Sequence, residues 1–91
     1  MMTVEIVIPA FLQPYTGGVN NAVTAGKTLG ECLDGLVAQF PALENKIYSG
    51  KNRLHKGVNI FVNGSPAGRE ELSRPVADGD RIHIAYVTIG G

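Results

Sequence analysis

Only one stretch of this 91-residue chain carries a sustained helical apolar period, and that limits the folds open to it. Thr28-Leu29-Gly30-Glu31 has the form of a capping box, with the threonine hydroxyl placed to accept from the third helical amide and Glu31 placed to reach back. Leu29, Leu33, Leu36, Val37 and Phe40 then fall on one face, while Glu31, Asp34 and Gln39 fall off it. Gly30 and Gly35 each cost roughly 1 kcal/mol relative to alanine, so the helix depends on packing its stripe against something. Pro41 ends it. Cys32 lies beside the stripe and is expected to be a small buried hydrophobe rather than a reactive thiol.

The partner for that stripe is legible on both sides. Val4, Ile6 and Ile8 alternate with Thr3, Glu5 and Val7, the period of a strand with one buried face, and Pro9 closes it. Ala10 to Thr16 reads as a loop ending at Gly17-Gly18, followed by a weaker strand around Val19 to Ala25. Val58, Ile60 and Val62 alternate with Asn59 and Phe61 in a second clear strand. Asn63-Gly64 is a hairpin-turn signal leading to a short return strand between Ser65 and Gly68. Glu70 to Arg74 reads as a turn of helix and Asp78-Gly79-Asp80 as another turn. Ile82 and Ile84 alternate with Arg81, His83 and Ala85 in a final strand. Pro41 to Gly57 has no clear period and is long for a loop, which points to a turn of helix within it or a functional excursion. One main helix packed on one face of a sheet makes a two-layer α+β domain, with the other sheet face left to solvent or a partner.

Composition narrows the function. Eight basic and eight acidic side chains sum to zero formal charge, so no broad basic field serves nucleic acid. No apolar run is long enough for a membrane span, and the N-terminus lacks the pattern of a signal peptide. A single cysteine forms no internal disulfide, which favours a reducing, cytoplasmic setting. His55 and His83 stand isolated in the sequence, and no cluster has metal-ligand spacing. No phosphate-cradling glycine motif is present, so no cofactor is expected. The basic stretch from Lys46 to Lys56 reads as a solvated loop, with docking of an acidic partner as the alternative.

Strand alternation sends Val7, Phe61 and Ala85 to the face away from the helix, where an apolar patch would mark a protein interface. The alternative for Phe61 is burial beneath the long loop. The sequence ends Thr88-Ile89-Gly90-Gly91. Two glycines at a free C-terminus make a thin thread able to enter a narrow channel and present its carboxylate. The expected division is a folded domain over 1–87 and a flexible tail over 88–91.

The capping-box helix, the strand Val58-Asn59-Ile60-Phe61-Val62 with Asn63-Gly64, the Asp78-Gly79-Asp80 turn and the terminal Gly90-Gly91 together resemble the ubiquitin-like sulfur-carrier family, the MoaD/ThiS group. Leu12 to Gly18 and Leu54 to Ile60 look like its CysO-type members, which supply sulfur for cysteine synthesis. Where molybdopterin-type tails commonly carry prolines, this chain has Tyr86 and Val87. The resemblance implies a β-grasp fold with a mixed sheet, and a covalent substrate rather than an enzyme. A ubiquitin-activating-like adenylyltransferase would use ATP to adenylate the Gly91 carboxylate, and a sulfur donor would convert it to a thiocarboxylate. A biosynthetic enzyme would accept the sulfur, and a deubiquitinase-type metalloprotease is a further implied partner of the cysteine route. Val7, Phe61, Ala85, Thr88, Ile89 and Gly90 are the expected partner-binding residues. The same resemblance leaves open a molybdopterin or thiamin role, or a modifier joined to proteins through Gly91.

Overall fold

The computed structural model describes residues 3–50, 53–67 and 71–86. Strand β1 (Thr3–Val7) pairs antiparallel with β2 (Asn21–Ala25), Ile6 facing Ala22 and Val4 facing Thr24. Helix α1 (Leu29–Gln39) follows. After it come a short helix α2 (Glu44–Ile47), a two-stranded ribbon of β3 (Tyr48–Gly50) and β4 (Arg53–Leu54), and β5 (Val58–Val62). The short β6 (Ser65–Pro66) and the final β7 (Arg81–Tyr86) complete the described elements. The main sheet runs β2-β1-β7-β5-β6, parallel between β1 and β7 and antiparallel elsewhere. It is a mixed sheet on one main helix, the β-grasp arrangement.

Thr28 caps α1 as its sequence predicts: its hydroxyl accepts from the Glu31 amide at 3.2 Å. The reciprocal bond is displaced by one residue. Glu31 Oε1 accepts from the amide of Lys27, at 2.8 Å, rather than from Thr28. Leu29, Cys32, Leu33 and Leu36 are fully buried in one cluster with Val4, Ile6, Ile60, Val62, Ile82 and Ile84. Val37 and Phe40, expected in the stripe, are only half-buried, and Cys32 takes a full place in it. The two helical glycines permit close approach. A Cβ on Gly30 would sit 2.9 Å from the Leu72 carbonyl oxygen, and one on Gly35 would crowd Thr24 of β2.

Ala10–Tyr15 differs from its sequence reading, whereas the stretch after Pro41 carries the turn of helix that is one of its two readings. Ala10–Tyr15 is a 3₁₀ helix rather than a loop. Pro9 begins it, the Leu12 amide donates to the Pro9 carbonyl at 3.0 Å, and buried Leu12 anchors it to the core. The stretch after Pro41 is not an open excursion. A 3₁₀ turn (Pro41–Leu43), α2 and the ribbon fold it onto the core, with Leu43 and Ile47 fully buried. The Tyr48 hydroxyl donates to Asp34 Oδ1 at 3.0 Å and ties the ribbon to α1. The strand expected around Val19 begins at Asn21 instead.

Asn63 and Gly64 both adopt positive φ (52° and 86°), the geometry of a two-residue hairpin turn, and Val62 pairs with Ser65 across it. Asn63 also braces the start of β7. Its side-chain oxygen accepts from the Arg81 amide at 2.9 Å, and its amide group donates to Asp80 at 2.9 Å.

Candidate functional site

The sheet face turned away from α1 is built by register. Ile6, Ile82 and Val62 align across the three central strands and point into the core. Their neighbours therefore point outward together, because successive strand side chains alternate. Val7 faces His83 across β1 and β7, His83 faces Phe61 across β7 and β5, and Phe61 faces Pro66. Phe61 is thus on the face turned away from α1, half-buried. Ala85 lies two residues beyond His83 on the same strand, opposite Asn59.

Val7, Phe61 and Ala85 share one face, as alternation predicts, but His83 separates Val7 from Phe61. The patch is an apolar frame around an exposed imidazole. One row further from the tail, Glu5 and Arg81 pair at 3.0 Å between solvent-exposed side chains. Such a pair adds little stability and gives the face a polar border. Val23, which pairs with Glu5, is 64% exposed and extends the apolar surface onto β2. Neither His83 nor Val23 is among the residues expected on this face from the sequence. The alternation that placed Ala85 also places His83.

The ends of the sheet differ in character. At the start of β7, Asp80 accepts from the Ala77 amide at 2.8 Å and from the Asn63 side chain. Asp78 accepts from the Thr3 amide at 2.9 Å and from its hydroxyl. These donated hydrogen bonds favour the charged carboxylates and hold both below their usual range. At the other end, β7 finishes at Tyr86, beside the start of β5 at Val58. The Tyr86 ring meets Phe11 edge to face, with centroids 5.5 Å apart. The expected tail residues Thr88, Ile89, Gly90 and Gly91 follow from this corner and lie outside the described residues.

Cys32 is buried against β2, and burial pushes its thiol up, away from a reactive thiolate. Among the described residues, no group of three or more His, Cys, Asp or Glu side chains stands close enough to hold a metal ion. No helix among them is long and apolar enough to cross a membrane.

A mixed sheet grasping one main helix, with an open outer face and a C-terminal strand leading to Gly90-Gly91, defines a ubiquitin-like β-grasp protein. The chain belongs to the ThiS family, which matches residues 6–91. The sulfur carrier protein CysO of Mycobacterium tuberculosis is 33% identical over 93 residues, spanning 99% of this chain and 100% of that protein. Its crystal structure superposes with a TM-score of 0.84, covering 93% of this chain and 99% of that one. CysO in the BexX/CysO complex of Amycolatopsis orientalis gives 0.85 at 27% identity, covering 97% and 99%. Small archaeal modifier protein 1 of Haloferax volcanii is 32% identical over 69 residues, 76% of each chain. CysO is by name a sulfur carrier protein, a small carrier and not a catalyst.

Proposed function

We propose that this protein carries sulfur on the carboxylate of Gly91, with cysteine biosynthesis as the first choice of pathway. The observation that supports this most is the match to CysO over that carrier's full length. A free carboxylate is a poor electrophile. A ubiquitin-activating-like enzyme attacks the α-phosphate of ATP with it, releasing pyrophosphate and leaving an acyl-adenylate. A sulfur donor then displaces AMP to give the thiocarboxylate. A thiocarboxylate is a far stronger acid than a thiol, whose ordinary pKa is about 8.5, so it stays ionised and nucleophilic at neutral pH. The thiocarboxylate sulfur bonds to the substrate of a biosynthetic acceptor enzyme, and water then hydrolyses the acyl linkage, releasing the sulfur-bearing product and restoring the carboxylate. The carrier supplies no acid or base. It supplies a docking face, Val7, Phe61 and Ala85 around His83, and a thread, Thr88, Ile89, Gly90 and Gly91, for the partner's channel. That a CysO relative was solved in complex with another protein, BexX, supports docking as this fold's mode of action. For the cysteine route, a deubiquitinase-type metalloprotease is a further partner, and the setting is a reducing cytoplasm.

The test is activation of tail variants. Deleting Gly91, or adding one residue after it, abolishes ATP–pyrophosphate exchange by the activating enzyme, because the reacting carboxylate must reach the nucleotide in line. Undiminished exchange in both variants contradicts the reading.

The likeness to small archaeal modifier protein 1 favours a second reading, conjugation of Gly91 to lysine side chains of other proteins. Both readings share the adenylation step. Recovery of Gly91 in isopeptide linkage from the host selects the second.

A further inference from the structure

Four separated segments meet where β7 ends and enclose a cleft of about 260 Å3. Phe11 and Tyr15 come from the first 3₁₀ helix, Lys46 from α2, His55 from just beyond β4, and Tyr86 from the end of β7; Leu12 lies at its base. Its aromatic walls face solvent: Phe11 is 46% exposed, Tyr15 39% and Tyr86 50%. Three half-exposed aromatic side chains around one concavity make an unusual surface for a chain with only six Phe and Tyr residues in all.

The cleft is shaped rather than loose. Phe11 and Tyr86 hold each other edge to face. Lys46 Nζ sits 4.8 Å over the Tyr15 ring, a cation–π contact that fixes its charge at the rim. His55 Nε2 donates to the Asn45 carbonyl at 2.7 Å, and the His55 amide donates to Ile47, so the imidazole is strapped to α2. Arg53 and Lys56 flank His55 in sequence and are exposed. Glu44, the acidic side chain of α2, lines a different cleft with Tyr48 and Ser49. Lys46 supplies a cation to the lining, and no carboxylate lines the cleft among the described residues.

We infer that this cleft is a second docking socket, which takes an acidic segment bearing an apolar or aromatic side chain on the enzyme that activates Gly91. The inference rests on the proposed function and deepens it. Gly91 is five residues past Tyr86, so its carboxylate lies no more than about 18 Å from the cleft wall even when the chain is fully extended. An enzyme that closes around that carboxylate therefore has Phe11 and Tyr86 within reach of the surface beside its active site. The outer sheet face and the cleft are both used, the first as a flat apolar contact and the second as a concave anchor site. An apolar side chain packs against the aromatic walls, and a carboxylate beside it meets Lys46.

The test measures binding of the host's own activating enzyme to the full carrier by titration calorimetry, for the native protein, Phe11→Ala, Lys46→Glu and Lys46→Gln. Phe11 and Lys46 are exposed, and circular dichroism and thermal melting check that each variant keeps the native fold. Phe11→Ala and Lys46→Glu should each weaken binding by about tenfold or more, and Lys46→Gln by less than Lys46→Glu. Raising salt from about 0.05 M to about 0.5 M should shrink the Lys46→Glu effect. Native affinity in all three folded variants, with the native carrier still adenylated, overturns the socket and leaves the carrier function standing. Loss with Phe11→Ala but none with Lys46→Glu overturns the acidic character of the partner segment. A native carrier that is neither bound nor adenylated takes the function and the socket down together.

Discussion

His83 stands directly opposite Phe61 in the β5–β7 ladder, and the pair forms the centre of the open sheet face. Because Val62 and Ile82 beside them are buried, neither residue can turn inward without a one-residue slip that would expose the core. Phe61 is therefore free of a structural role in the core. Phe61→Ala should leave the thermal midpoint nearly unchanged and weaken binding to the activating enzyme by roughly 30-fold, equivalent to about 2 kcal/mol. Calorimetric titration checks the loss of binding, and unchanged affinity would remove this face from the account.

Leu33 is fully buried between α1 and the sheet. Leu33→Ala should cost about 2–5 kcal/mol in denaturant unfolding. Ile47→Ala, in the segment after Pro41, should cost about the same, since Ile47 is equally buried. If Ile47→Ala unfolds like the native protein, α2 is not part of the cooperative core.

Asp78 and Asp80 titrate below their ordinary range in the folded chain because backbone and side-chain donors stabilise their charged forms. A carboxyl with a depressed folded pKa contributes stability above its unfolded pKa, about 3.9, and loses it as pH falls through the folded value. Native stability should therefore decline below about pH 4. Asp80→Asn, which removes the charge that accepts from Ala77 and Asn63, should lower stability at about pH 7 and flatten that acid decline. Equilibrium unfolding across pH is the measurement. An acid limb as steep in Asp80→Asn as in the native chain would rule out Asp80 as a source of it.

Cys32 is buried on the face of α1 that packs against β2. A thiol reagent such as DTNB should leave it unmodified in the native protein and label it fully in denaturant. Fast labelling of the native fold would mean that α1 opens from β2 readily.

The elements that the sequence made plain are those with a repeated period or a fixed turn chemistry. Val4, Ile6, Ile60, Val62, Ile82 and Ile84 announce buried faces by alternation. Thr28, Asn63 and Gly64 announce a cap and a turn by residue type. Leu12, Leu43 and Ile47 escaped notice because each anchors a single short turn, and one buried residue per turn has no period to read. His83 stands isolated in the sequence; its outward direction follows from alternation, but its place between Val7 and Phe61 depends on long-range register. The cleft had no local signal at all. It joins segments from 11–15, 45–46, 55 and 86, which only the finished fold brings together.

The central claim is a chemical one about Gly91. The carrier should be incubated with its host's activating enzyme, ATP and a sulfur source, and its intact mass measured. The account predicts a species in which one oxygen has been replaced by sulfur, with fragmentation placing the change on Gly91. A native carrier that is never adenylated or thiolated by any activating enzyme of its own host would contradict it.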